Sequence, residues 1–166
     1  VDQFREHPSK ACVWDGTQLV PVADATAAES VVWFVLPPDP DMPRDYAVWE
    51  ALNATQVEHD VYRLCASPAL FARVAFGDRV DVIRSGEGAL VVTSIAGRGG
   101  YTSARLWFED GGDTWRLPVE SLAQAGCVVD IYSERLVGIS WPSALDEIIP
   151  SLERMESEGV LIYATA

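Results

Sequence analysis

The sequence predicts an α+β protein: a small bent β-sheet or partial barrel over residues 1–100, followed by a β-α-β-β-α-β unit of the ferredoxin-like type over residues 101–166. Three observations carry this. In the first hundred residues short apolar stretches alternate with turn signals, and no long helical period develops. From Tyr101 the pattern becomes strand, helix, hairpin, helix, strand. The glycine-rich Gly97-Arg98-Gly99-Gly100 marks the change.

Residues Ala11 to Val22 read as two short β stretches around Asp15-Gly16, a strong hairpin signal between apolar runs. Ser30 to Leu36 is a continuous apolar run, expected as a buried strand, that stops at Pro37-Pro38. Pro37 to Asp45 holds four prolines and three aspartates, which favours a stiff, solvated loop. Tyr46 to Leu52 is expected as a short helix carrying Trp49, and Gln56 to Cys65 as one alternating strand. A helical turn or loop at Ser67 to Ala75 leads to a hairpin of Arg79–Arg84 with Ala89–Ile95.

In the last third, Ala104, Leu106 and Phe108 share one face of a strand, and Arg105 and Trp107 the other. Pro118 suits a first helical turn, Val119, Leu122 and Ala123 follow at helical spacing, and Gly126 closes the helix. Val128–Tyr132 and Leu136–Trp141 form the next hairpin. Ser143 is expected to cap a second helix, with Asp146 three residues on and an apolar stripe of Leu145, Ile148, Ile149, Leu152 and Met155. Pro150 falls inside it. An interior proline costs about 3 kcal/mol, against roughly 7 to 15 kcal/mol gross for burying five large side chains. The expectation is a kinked helix, or two short helices meeting at Pro150. Gly159 ends it, and Val160 to Ala164 is the last strand.

A formal net charge of −13, from 25 acidic and 12 basic residues, repels nucleic acid and anionic lipid and favours basic partners. No apolar run is long enough to span a bilayer. The three separated cysteines, Cys12, Cys65 and Cys127, suggest reduced thiols in a cytoplasmic protein.

Tyr62-Arg63-Leu64, then Pro68 and Phe71, then Phe76-Gly77-Asp78, then a glycine-rich turn into Tyr101-Thr102-Ser103-Ala104-Arg105, and finally Ala125-Gly126-Cys127, occur in an order that resembles an uncharacterised bacterial family of unknown function. The resemblance spans about residues 31–166. It implies a fold and no chemistry. Where the family carries a Gly-His-Ser-Thr stretch, this chain has Gly100-Tyr101-Thr102-Ser103, so Tyr101 stands at the histidine position.

No catalytic residue is assigned. The two histidines, His7 and His59, lie far from Cys127 in sequence, and His59 and Cys65 are separated by roughly 20 Å of strand. Metal-ligand spacings are absent, the prolines break any calcium loop at Asp39, Asp41 and Asp45, and Gly97–Gly100 lacks the helix that a phosphate cradle requires, so no cofactor or metal is expected. Arg105 and Trp107 mark an aromatic sheet face, covered either by the N-terminal region or by a second protomer as a homodimer. Two functions are carried forward. The first is a non-catalytic acidic binding protein, of the immunity or accessory type, for a basic protein or peptide. The second is an enzyme or small-molecule sensor with a pocket between the two β regions, contacted by Asp78, Arg98, Tyr101 or Arg105.

Overall fold

The computed structural model describes residues 1–165, so only Ala166 of the predicted units lies outside. In chain order the strands of the first hundred residues are β1 (Asp2–Glu6), β2 (Cys12–Trp14), β3 (Leu19–Pro21), β4 (Ser30–Val35), β5 (Ala47–Glu58), β6 (Val61–Leu64), β7 (Arg79–Arg84) and β8 (Leu90–Gly97), with a short helix α1 (Ala23–Ala27) before β4. Then come β9 (Tyr101–Trp107), α2 (Arg116–Gln124), β10 (Val128–Ile131), β11 (Leu136–Pro142), α3 (Ile148–Ser157) and β12 (Ile162–Thr165).

Strands β4 to β8 close a five-stranded barrel, antiparallel throughout except where β8 returns to β4 in parallel. Alternation along each strand sends Val32 and Phe34, Leu52 and Ala54, Tyr62 and Leu64, and Val80 and Val82 into one interior. Strand β1 adds to β5 in parallel outside the closed ring. The second sheet has the order β12-β9-β11-β10-β2-β3, with β9 antiparallel to both β11 and β12. Its helix-side core holds Leu106, Val137 and Ile139 against Val119, Leu122, Ile148 and Leu152. The β2–β3 hairpin, from the first hundred residues, extends this sheet beside β10.

Several expectations are corrected. Tyr46–Leu52 is not a helix: it enters the twelve-residue strand β5, because Leu52 and Ala54 fill the barrel while Trp49 packs outward. The strand expected over Gln56–Cys65 is a hairpin, turning at His59-Asp60 with Asp60 at φ 56°. The second helix begins at Ile148, without a side-chain cap, and Ser143 Oγ instead pairs with Thr102 Oγ at 2.8 Å. Pro150 therefore sits in the first helical turn, where its missing N–H has no partner to lose, and no kink is required. Strand β1 and helix α1 are additions, since their sequences show little apolar periodicity.

The two sheets meet through the segment Cys65–Gly77, which joins β6 to β7 and lies across the sheet face away from α2 and α3. Ser67 Oγ bonds Ser140 Oγ, the Phe76 N–H donates to Ser140 Oγ (3.1 Å), Ser103 Oγ donates to the Val74 carbonyl (2.7 Å), and Arg105 Nη1 to that of Leu70 (3.3 Å). The approach is close enough that a Cβ at Gly138 would stand 2.3 Å from the Pro68 carbonyl oxygen. The N-terminal half thus covers most of the face on which Arg105 projects, leaving Trp107 partly exposed at its rim.

Candidate functional site: an outward aromatic cleft and a buried ion cluster

The residues singled out in the sequence separate into two places. Asp78, buried on the turn before β7, accepts from the Ala75 N–H (3.0 Å), the Gly99 N–H (2.8 Å) and Arg98 Nη1 (3.0 Å). Arg98 Nη1 also reaches the Arg73 carbonyl at 2.6 Å. A Cβ at Gly99 would meet the Gly77 carbonyl at 2.4 Å, so the two glycine-containing turns cross in contact. The anion at this glycine-rich turn is thus the chain's own Asp78. Tyr101 packs edge-on against Phe76, ring centres 5.4 Å apart. Arg105 and Trp107 lie further along β9, where they line a shallow cavity of about 270 Å³ with Leu70, Leu136 and Ile162. Asp78 and Arg98 converge; Arg105 and Trp107 do not join them.

A second buried polar cluster was not foreseen. His7, on the strap from β1 to β2, places Nδ1 2.8 Å from Asp130 Oδ1 and Nε2 2.7 Å from Glu50 Oε1. Alternation explains the carboxylates: Glu50 follows Leu52 and Ala54 to the barrel interior at its end, and Asp130 points away from the helix-side core that Val129 joins. Glu50 also accepts from the backbone N–H groups of Ala69 (2.7 Å), Leu70 (3.1 Å) and Phe71 (2.6 Å), and Asp130 Oδ2 from that of Ser67 (3.2 Å). Burial alone would lower the His7 pKa, but hydrogen bonds to Asp130 and Glu50, and the charges of both, raise it from 6.5 to about 9. The imidazolium is a clamp between barrel and second sheet. The His7 side chain is 2% exposed.

Position raises the pKa of two of the three thiols. Burial pushes the Cys127 thiol up to about 12, helped by Glu147, and burial followed by the charge of Asp130 raises that of Cys12. Among the described residues no group of three or more His, Cys, Asp or Glu side chains could hold a metal ion, and no helix is long and apolar enough to cross a membrane.

Aromatic side chains gather on the outer wall of the barrel. Phe4 of β1, Trp33 of β4 and Trp49 of β5 project to the same side, because the strand register pairs Phe4 with Trp49 and Val35 with Trp49 while Trp33 lies two residues on. Phe4 meets Trp33 edge to face (5.4 Å, 86°) and lies offset over Trp49 (6.4 Å, 19°). Together with Val91, and with Asp2 and Glu87 at its rim, they bound a cleft of about 310 Å³. Phe4 is 61% exposed. Trp49 Nε1 is a buried side-chain donor without an acceptor among the described residues.

The model of the family described as Domain of unknown function (DUF4265) matches residues 50–163. The chain belongs to this family. In DUF4265 terms, Glu50, Asp78, Arg98 and Asp130 fall within the matched residues, whereas His7, Phe4, Trp33 and Trp49 lie before them. The chain is also similar to a solved structure titled "Novel crystal structure of a hypothetical protein from Neisseria gonorrhoeae", at 16% identity and a TM-score of 0.68, over 82% of this chain and 93% of that one. That likeness is one of fold. No curated protein matches.

Proposed function

We propose that this DUF4265 member is a non-catalytic binding protein, of the immunity or accessory type, whose acidic surface engages a basic protein or peptide. The observation that carries the reading is the cleft of Phe4, Trp33 and Trp49 with Asp2 and Glu87 on its rim: exposed aromatic area for an anchor beside negative charge that attracts a basic partner. The net charge of −13 acts in the same direction over longer range. The buried charges His7, Glu50, Asp130 and Asp78 are engaged in holding segments of the fold together, which supports a binding role over a chemical one. A pocket between the two β regions has less support, because the Cys65–Gly77 segment fills most of that seam and leaves the shallow cavity of Leu70, Arg105 and Trp107 at its edge. Two finer readings belong to the same proposal: that β9 to β12 with α2 and α3 form a ferredoxin-like unit, in the sheet order β12-β9-β11-β10, and that three unpaired cysteines suit a cytoplasmic setting.

Calorimetric titration of the full chain with hexa-arginine tests the reading. A saturable one-to-one complex at about 0.05 M salt, weakened severalfold or more at about 0.5 M, is expected. Absence of binding, or heats that fit only many equivalent weak sites spread over the acidic surface, would count against it.

A further inference from the structure

We infer that the anchor of such a partner is a single cationic side chain, guanidinium or ammonium, seated against the π faces of Phe4 and Trp33 on the outer wall of the barrel. This deepens the binding reading and rests on it. The ring quadrupoles present negative faces, and a cation within about 6 Å of a ring centre is attracted to them. Phe4 and Trp33 stand at 86° to one another, so a group entering the corner between them meets two rings at once.

The charged residues that line the cleft are of one sign. Asp2 and Glu87 line the cleft, no lysine or arginine does, and among the described residues neither carboxylate is ion-paired. The nearest arginine on the β7–β8 turn, Arg84, is turned to the Gly88 carbonyl at 3.0 Å. An apolar ligand would leave both carboxylates unused, and an anion would be repelled. A peptide fits better than a free small cation, because β1 is the terminal strand of its sheet and its outer edge can pair with an extended backbone. The exposed β1 strand beside the corner leaves room for such a segment to lie along it.

Four variants of the full chain, titrated with hexa-arginine, separate the anchor from general acidity. Phe4→Leu and Trp33→Leu keep apolar bulk but remove the ring faces, Glu87→Gln removes one rim charge, and Glu153→Gln removes an exposed charge from α3. A loss of about fivefold or more is expected for each ring variant and about threefold for Glu87→Gln, with Glu153→Gln within about twofold of the parent. Phe4 is exposed enough that its variant folds, and circular dichroism checks both ring variants. A parent that binds one-to-one while Phe4→Leu binds equally well overturns the anchor and leaves the binding reading standing. A parent that does not bind overturns both. Substituting hexa-citrulline, a neutral near-isostere, is expected to abolish binding; retention would likewise overturn the cationic anchor.

Discussion

His7 is held between two carboxylates that the fold removes from water completely, and the balance of charge there sets its chemistry. Neutral imidazole would leave Glu50 and Asp130 as neighbouring buried anions, so the protonated form is strongly preferred. Linkage fixes the direction of the pH effect. The folded pKa of about 9 lies above the ordinary 6.5, so the stabilisation from protonated His7 is fully present below about pH 6.5 and is lost as pH rises through 9. Its size is on the order of 3 kcal/mol. In urea unfolding, His7→Gln is expected to cost about 3–5 kcal/mol at pH 6 and markedly less at pH 10; a penalty unchanged across that range would show that the histidine is not charged in the fold. Little of this was legible in the sequence. The partners stand 43 and 123 residues away from His7, and no local spacing signals a contact made only when a barrel docks on a sheet. Asp78 and Arg98 were visible because each sits beside glycines whose turns had to serve some purpose, although that purpose is to cross and bond each other.

Among the elements, the Cys65–Gly77 segment decides how the halves fit. It has no regular structure of its own, and its backbone donors are satisfied from outside, by Glu50 at Ala69 to Phe71, by Asp130 at Ser67 and by Asp78 at Ala75. Its path requires a bare backbone at Gly138. Gly138→Ala is expected to lose at least about 1–3 kcal/mol by overpacking against Pro68, whereas Gly86→Ala, with open space around its Cβ position, stays within about 0.5 kcal/mol; equal melting temperatures for the two would refute the close approach. The strands and helices of the last third were legible because turn residues and apolar spacing agree there. Trp49 was not, since Tyr46–Leu52 is too short for helical and strand periods to be told apart, and long-range pairing of β5 with both β1 and β4 settles it. Pro150 was placed one helical turn too deep because Ser143 looked like a cap but bonds Thr102 instead.

At the scale of the molecule, the chain spends its few buried charges inside and displays its acidity outside. The face first suspected of binding, around Arg105 and Trp107, is largely taken up by the chain's own segment, while the aromatic corner on the barrel was hidden from the sequence by the misread β5 and the unrecognised β1. Composition alone suggested a basic partner; the aromatic corner is the address proposed for it. The six indoles, Trp14, Trp33, Trp49, Trp107, Trp115 and Trp141, make the address directly readable. In ¹H–¹⁵N correlation spectra of the full chain titrated with hexa-arginine, the indole signals of Trp33 and Trp49 are expected to shift together and saturate at one equivalent, with the other four unmoved. Movement of Trp107 while Trp33 and Trp49 stay fixed would contradict the account.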